Sequence, residues 1–258
     1  QWIASPAPPL PSPGRLRYTH PMTYDFDWVS PVSPLAWASV QLRSSEPYGN
    51  HVRPLCNFQE DLAVDDTTDP VRAADGNWGG LWEDLAASLQ SRVGRFALVA
   101  AEGEQLAGCV RFLPKPLSRP RYGAWSLVEH RTENDASILW IGAAAVEIPG
   151  FGQGLPRTLI SSLIEEARRL GYERMQALAW SNVPVYALWG QALPWVVYEE
   201  AGFHSIAEAS GASLCALPDM IAGIHGGIVR KIVTAQLERA ALSPVDAEHF
   251  AIVERSLN

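Results

Sequence analysis

The chain has 258 residues, a hydrophobic fraction of 47%, a charged fraction of 19% and a formal net charge of −8, which is enough length for a sizeable core. That acidic balance, with a pI near 5.3, argues against a sequence-independent grip on nucleic acid or on an anionic membrane, both of which need basic surface. Cys56, Cys109 and Cys215 are scattered, and the six histidines show no His-x-x-x-His spacing; together they predict reduced thiols, a cytoplasmic location and no metal site. No run approaches the twenty apolar residues of a membrane span, and the beginning lacks the basic and apolar regions of a signal peptide. The start at Gln1, without Met, is read as a trimmed product or a domain cut from something longer.

Residues 1–21 hold six prolines and are expected to form an extended linker or arm. Residues 23–29 alternate in the manner of an opening strand, and residues 34–42 suggest a short helix after Ser33. Residues 46–80 are polar and acidic, carrying Glu60, Asp61, Asp65, Asp66, Asp69 and Asp75 ahead of Trp78 and Trp82. The bland account is a solvated loop; the functional one is a pocket for a cationic or aromatic amine. Residues 81–93 read as a helix. Residues 96–112 read as two strands around a Glu102-Gly103-Glu104 turn. Residues 113–137 form a long connection with Lys115, Arg119, Arg121 and Arg131, expected to be a solvated insertion.

The stretch from Ile138 to Gly171 holds an apolar run, a glycine-punctuated turn and an amphipathic helix. Ile138–Val146 has the length and bulk of a buried strand. Leu159, Ile160, Leu163, Ile164, Ala167 and Leu170 fall on one helical face, Pro156 suits the first turn, Glu165 is one turn from Arg169, and Gly171 supplies the stop. Between them, Gly150-Phe151-Gly152-Gln153-Gly154-Leu155 places backbone N–H groups where the helix dipole is positive, which suits a phosphate. The absence of Gly-Lys-Ser/Thr argues against a Walker-type site, and the absence of an acidic residue about twenty positions on in a repeating βαβ context argues against a dinucleotide fold. Residues 174–180 form the next strand, residues 194–201 a short helix, residues 203–208 and 213–217 a final hairpin, and residues 218–241 and the stretch from Ser243 further helices.

The segment Val146-x-x-Pro149-x-Phe151-Gly152-Gln153-Gly154-Leu155-Pro156-x-x-Leu159 resembles the acyl-CoA-binding motif of the GNAT superfamily of N-acetyltransferases, Arg/Gln-x-x-Gly-x-Gly/Ala at the start of a central helix. Tyr198-Glu199-Glu200-Ala201-Gly202-Phe203 is similar to the same family's Tyr-Glu-x-x-Gly-Phe signature. Phe151 stands where the family usually has Arg or Gln, and Pro156 where it has Gly or Ala, which removes a cation and one amide donor. The resemblance implies an α/β (α+β) GNAT fold, a mixed central sheet with splayed middle strands and flanking helices. It divides the chain into an arm (1–21), the acyltransferase domain (22–217) and a C-terminal helical extension (218–258) that leaves room for a homodimer contact.

What the resemblance implies for function is transfer of an acetyl or other short acyl group from acetyl-CoA or another acyl-CoA, as cosubstrate, to the primary amine of a small molecule. Ala145 and Val146 would polarise the thioester, Val146 and Ile148 would pair with pantetheine amides, and Phe151, Gly152, Gln153, Gly154, Leu155, Arg157, Thr158 and Asn182 would complete the cofactor site. Tyr198 would protonate the leaving thiolate, since a phenol is protonated at neutral pH. Glu147 is the nearest candidate base in sequence; Glu129, His130 and a water chain are the alternatives. Two further readings stand beside this one: a non-catalytic acyl-CoA-binding module, and CoA-thioester chemistry such as O-acylation or decarboxylation.

Overall fold

Strand β4, Ile138–Val146, runs up the middle of a mixed sheet, and everything that positions the site is built on it. The structure, a computed structural model, describes residues 23–33, 90–91, 93–103, 105–118, 135–146, 150, 152–180, 192–209, 231, 234–235, 237–239 and 250–258. Its strands are β1 (Asp25–Val29), β2 (Ala97–Glu102), β3 (Gln105–Pro114), β4, β5 (Arg174–Trp180), β6 (Leu193–Pro194), β7 (His204–Ala209) and β8 (Phe250–Ser256). Helices α1 (Leu155–Arg169) and α2 (Trp195–Glu200) pack with them, and a 3-10 turn spans Lys115–Leu117. The sheet order is β1-β2-β3-β4-β5-β8-β7, with β6 beside β5. Neighbours are antiparallel except for β4–β5 and β5–β6, which are parallel. Parallel neighbours need a long crossover, and α1 supplies the one between β4 and β5.

Helix α1 forms where expected because its apolar residues repeat at the helical period. Leu155, Leu159, Ile160, Leu163, Ile164 and Ala167 are buried in one cluster with Leu139 and Ile141 of β4, Met175 and Ala177 of β5 and Val253 of β8. Burying each large aliphatic side chain in this layer contributes about 1.5–3 kcal/mol. Pro156 lies in the first turn, and Gly171, at φ 83°, ends the helix in the left-handed conformation. The ion pair expected from Glu165 is made instead by Glu166, which takes Arg169 through both carboxylate oxygens at 2.6 Å and Arg95 at 3.0 Å. Glu166 is buried at the helix flank, where the carboxylate must be paired, whereas Glu165 faces outward.

Of the final hairpin, residues 213–217 lie outside the described residues; β7 pairs with β8 from the end of the chain, and β8 is inserted between β7 and β5. The residues read as a helical extension therefore end in a strand of the central sheet. Phe250, Ala251, Ile252 and Val253 are fully or almost fully buried, so this short apolar run had the length of a buried strand, which the helical spacing before it obscured. Residues 231, 234–235 and 237–239 are helical, as expected, and so are residues 90, 91 and 93 at the end of the helix read over 81–93. The arm at 1–21, the helix read over 34–42, the acidic stretch 46–80 and the start read from Ser243 lie outside the described residues.

Lys115 is also placed differently from its reading as part of a solvated connection. β3 continues to Pro114, and the 3-10 turn carries Lys115 inward until it is 4% exposed. Its Nζ donates to Gln176 Oε1 at 2.9 Å and lies 3.8 Å from the centre of the Trp140 ring. Loss of water pulls its pKa from 10.5 to about 7, partly opposed by the Glu254 carboxylate. Between pH 7 and 10.5 the unfolded chain therefore binds more protons than the folded one at this site, and stability rises with pH across that window. Lys115→Met should stabilise the fold by a few kcal/mol at pH 7 and by almost nothing near pH 10.5. Denaturant unfolding of both proteins across the range measures the difference.

Candidate active site

β4 and β5 form a fork. Their parallel pairing runs from Ile138↔Arg174 to Ile141↔Ala177 and stops, although β4 extends to Val146 and β5 to Trp180. The cause is visible in the other neighbour of β4. Phe112 of β3 opposes Ile141 and the adjacent Arg111 opposes Ala143, so Gly142 is an extra residue in β4. A bulge of this kind bends its strand, and it occurs one residue past the last β4–β5 pair. Beyond it, β4 stays with β3 through Cys109↔Ala145 and Gly108↔Val146, while the corresponding edge of β5 is taken at Ala179 and Trp180 by Leu193 and Pro194. Alternate residues of the segment 142–146 direct their N–H and C=O groups away from β3, into the fork.

The open end of the fork meets the N-terminus of α1. Gly150, which is helical, lies between them under tight packing: a Cβ there would sit 2.9 Å from Leu155 Cδ2 and 3.0 Å from Val146 Cγ1. Gly154, the N-cap, has φ 78°, and a Cβ added to it or to Gly152 would meet nothing within 4 Å. The first amides of a helix have no intrahelical acceptor; here Pro156 removes one of them, and the Thr158 amide is satisfied by Gly154 O at 3.1 Å. The Thr158 hydroxyl reaches the same carbonyl at 3.4 Å. The Gln153 amide donates to Gly150 O at 3.2 Å, while its side-chain Oε1 accepts from Tyr24 Oη at 3.3 Å. The buried Gln153 Nε2 has no hydrogen-bond partner among the described residues. Tyr24, just before β1, is a residue that sequence reasoning missed; nothing in the linear sequence links it to a turn 129 residues away.

Arg157 points from the first turn of α1 to Glu200 of α2, with Nη2 2.6 Å from Oε1. Both side chains are exposed, so the pair is weak and water or an anion competes with it. Tyr198 is 1% exposed, packed edge-on against Phe203 with ring centres 5.3 Å apart, in the same cluster as the inner face of α1. Burial pushes its phenol well above the ordinary value, so it is protonated throughout the neutral range. Ala145 and Val146 lie on the splayed arm of β4. Glu147, Ile148, Phe151 and Asn182 lie outside the described residues, as do Glu129 and His130. Cys109 is buried on β3 and forms no disulfide. Among the described residues no helix is long and apolar enough to cross a membrane, and no group of His, Cys, Asp and Glu is spaced to hold a metal ion.

No family model and no curated protein matches the chain. Among solved structures it is similar to an acetyltransferase of the GNAT family from Streptococcus pneumoniae, at 11% identity and TM-score 0.42 over 92% of this chain and 100% of that one. It is likewise similar to a putative acetyltransferase from Salmonella typhimurium with its cofactor acetyl-CoA, at 16% identity and TM-score 0.38 over 69% and 74% of the two chains. A GNAT superfamily phosphinothricin acetyltransferase from Sinorhizobium meliloti in complex with acetyl-CoA overlaps at 13% identity and TM-score 0.37, over 69% and 70%.

Proposed function

We propose that the chain is an acyl-CoA-dependent acyltransferase of the GNAT type, moving an acetyl or other short acyl group to the primary amine of a small molecule. The observation that carries this reading is the fork. A β-bulge opens two parallel strands at the point where a helix N-terminus with left-handed Gly154 presents its amides. A ligand with a phosphate at one end and an extended, amide-bearing arm ending in sulfur matches both halves of that site. The phosphates would take the amides of Gly152, Gly154 and Leu155 and the Gln153 Nε2, which has no partner among the described residues, with Arg157 released from Glu200 as the cation. The arm would pair with the splayed segment at Ala145 and Val146, which brings the thioester to the fork floor.

Attack by a neutral amine on the thioester carbonyl gives a tetrahedral intermediate, whose oxyanion the β4 amides stabilise; the C–S bond then breaks and the thiolate takes a proton from Tyr198. Burial raises the phenol pKa, which keeps the proton on Tyr198 until the leaving thiolate forms. Reading the protein as a non-catalytic acyl-CoA module draws on Pro156, which leaves the helix mouth one donor short. Calorimetry with acetyl-CoA, followed by thiol release against a panel of amines, separates the two. Binding with amine-dependent thiol release is expected. Binding without release makes the chain a module, and absence of binding removes both readings.

A further inference from the structure

Acyl transfer requires a group that takes the proton of the incoming amine. Strand residues alternate between faces, and Leu139, Ile141, Met175, Ala177 and Val253 belong to the core beneath α1. Trp140, Gln176 and Glu254, which are cross-strand partners in a single row, therefore lie on the opposite face. That row is one residue short of the last β4–β5 pair. The Lys115 amine is fixed in it by Gln176 Oε1 at 2.9 Å and the Trp140 ring at 3.8 Å, in the row next to the pair at which the strands part. Gln176 cannot turn round, because its Nε2 donates to Glu254 Oε2 at 2.7 Å.

We propose that Lys115 is the general base of the acyl transfer, held by the Gln176–Glu254 relay on the face of the sheet opposite Tyr198. The proposal rests on the acyltransferase reading above. α1 and α2 occupy one face of the fork and Lys115 lies on the other, so an amine attacking the thioester from that face has Nζ on its own side of the sheet. The acceptor ammonium gives its proton to neutral Nζ, directly or through one water. The freed nitrogen bonds to the thioester carbon and then carries a positive charge; the C–S bond breaks, the thiolate takes the Tyr198 proton, and the nitrogen passes its second proton to the phenolate, through water. The Lys115 ammonium then loses its proton to solvent, so acyl-CoA and ammonium give amide, thiol and one proton.

A buried lysine whose charge costs stability is the kind of group that marks a functional site. Among the described residues the charged groups around it are Glu254 of β8, Arg174 of β5, 3.6 Å from Glu254, Asp135 beyond Arg174, and Arg111 on the same face of β3.

Thiol release from acetyl-CoA is followed from pH 5.5 to 9.5 with the fastest amine of the panel, or with water as acceptor where no amine reacts. The parent should show an ascending limb in kcat/KM with its midpoint near 7. Lys115→Met should lower kcat about 100-fold and abolish that limb, while the calorimetric affinity for acetyl-CoA is unchanged. Glu254→Gln, which keeps the amine but removes the carboxylate that favours its charged form, should move the limb to lower pH. Retention of rate and limb in Lys115→Met, or an unmoved limb in Glu254→Gln, overturns the assignment and leaves the acyltransferase reading intact. Failure of the parent to bind acetyl-CoA overturns both.

Discussion

Gly154→Asp should abolish measurable binding of acetyl-CoA while leaving the fold in place. The new Cβ meets no atom within 4 Å, so packing is not the reason. Two other effects act. At φ 78° a non-glycine residue costs about 1–2 kcal/mol, less for Asp than for most. A carboxylate at the helix mouth also opposes the ligand: two unit charges about 4 Å apart at a protein surface repel by roughly 4 kcal/mol. The sum of the ligand-dependent part is a loss of about 10²- to 10³-fold in affinity. Gly154→Ala is the control, because it carries the backbone strain without the charge. It should lower the melting temperature slightly and leave acetyl-CoA affinity within a few-fold of the parent. Equal affinity in the Asp variant and the parent, by calorimetry at low salt, would place the anion somewhere other than this turn.

How much of this site was legible in the sequence follows from what each signal depends on. The strand Ile138–Val146, helix α1 and strand Arg174–Trp180 are local: an apolar run, a 3.6-residue repeat and a left-handed glycine stop specify them without reference to the rest of the chain. The glycine-rich segment before α1 is local for the same reason. The fork is not. Its cause is a mismatch between Arg111–Phe112 and Ile141–Ala143 across two strands, and Gly142 in an apolar run gives no sign of being a bulge until its neighbour is known. The last strand was missed because β8 reaches its place between β5 and β7 from the end of the chain, and the helical spacing ahead of it hid a short apolar run. Lys115, Gln176 and Glu254 come from three separate elements, and a lysine among prolines after a strand reads as solvated until the fold buries it. Tyr24 and Gln153 are joined only by the sheet that brings the beginning of β1 to the end of β4.

Tyr198→Phe should lower kcat by about 100-fold and change acetyl-CoA affinity by less than twofold. The substitution keeps the ring that packs on Phe203 and in the α1 core, so it removes one oxygen and little stability. What is lost is the proton for the leaving thiolate, an effect confined to the transition state, which lowers kcat and kcat/KM together. The leaving group supplies a test that a packing role would not pass. An aryl thioester, whose thiol has a pKa several units below that of an alkyl thiol, departs without full proton transfer, so the difference between Tyr and Phe should shrink towards unity with it. If the two thioesters show the same ratio, the hydroxyl acts by holding structure. If parent and variant turn over acetyl-CoA equally, it has no part in the reaction. Only a loss that depends on the basicity of the departing sulfur assigns the proton to Tyr198, because only then does the missing oxygen matter in proportion to the negative charge it would have neutralised.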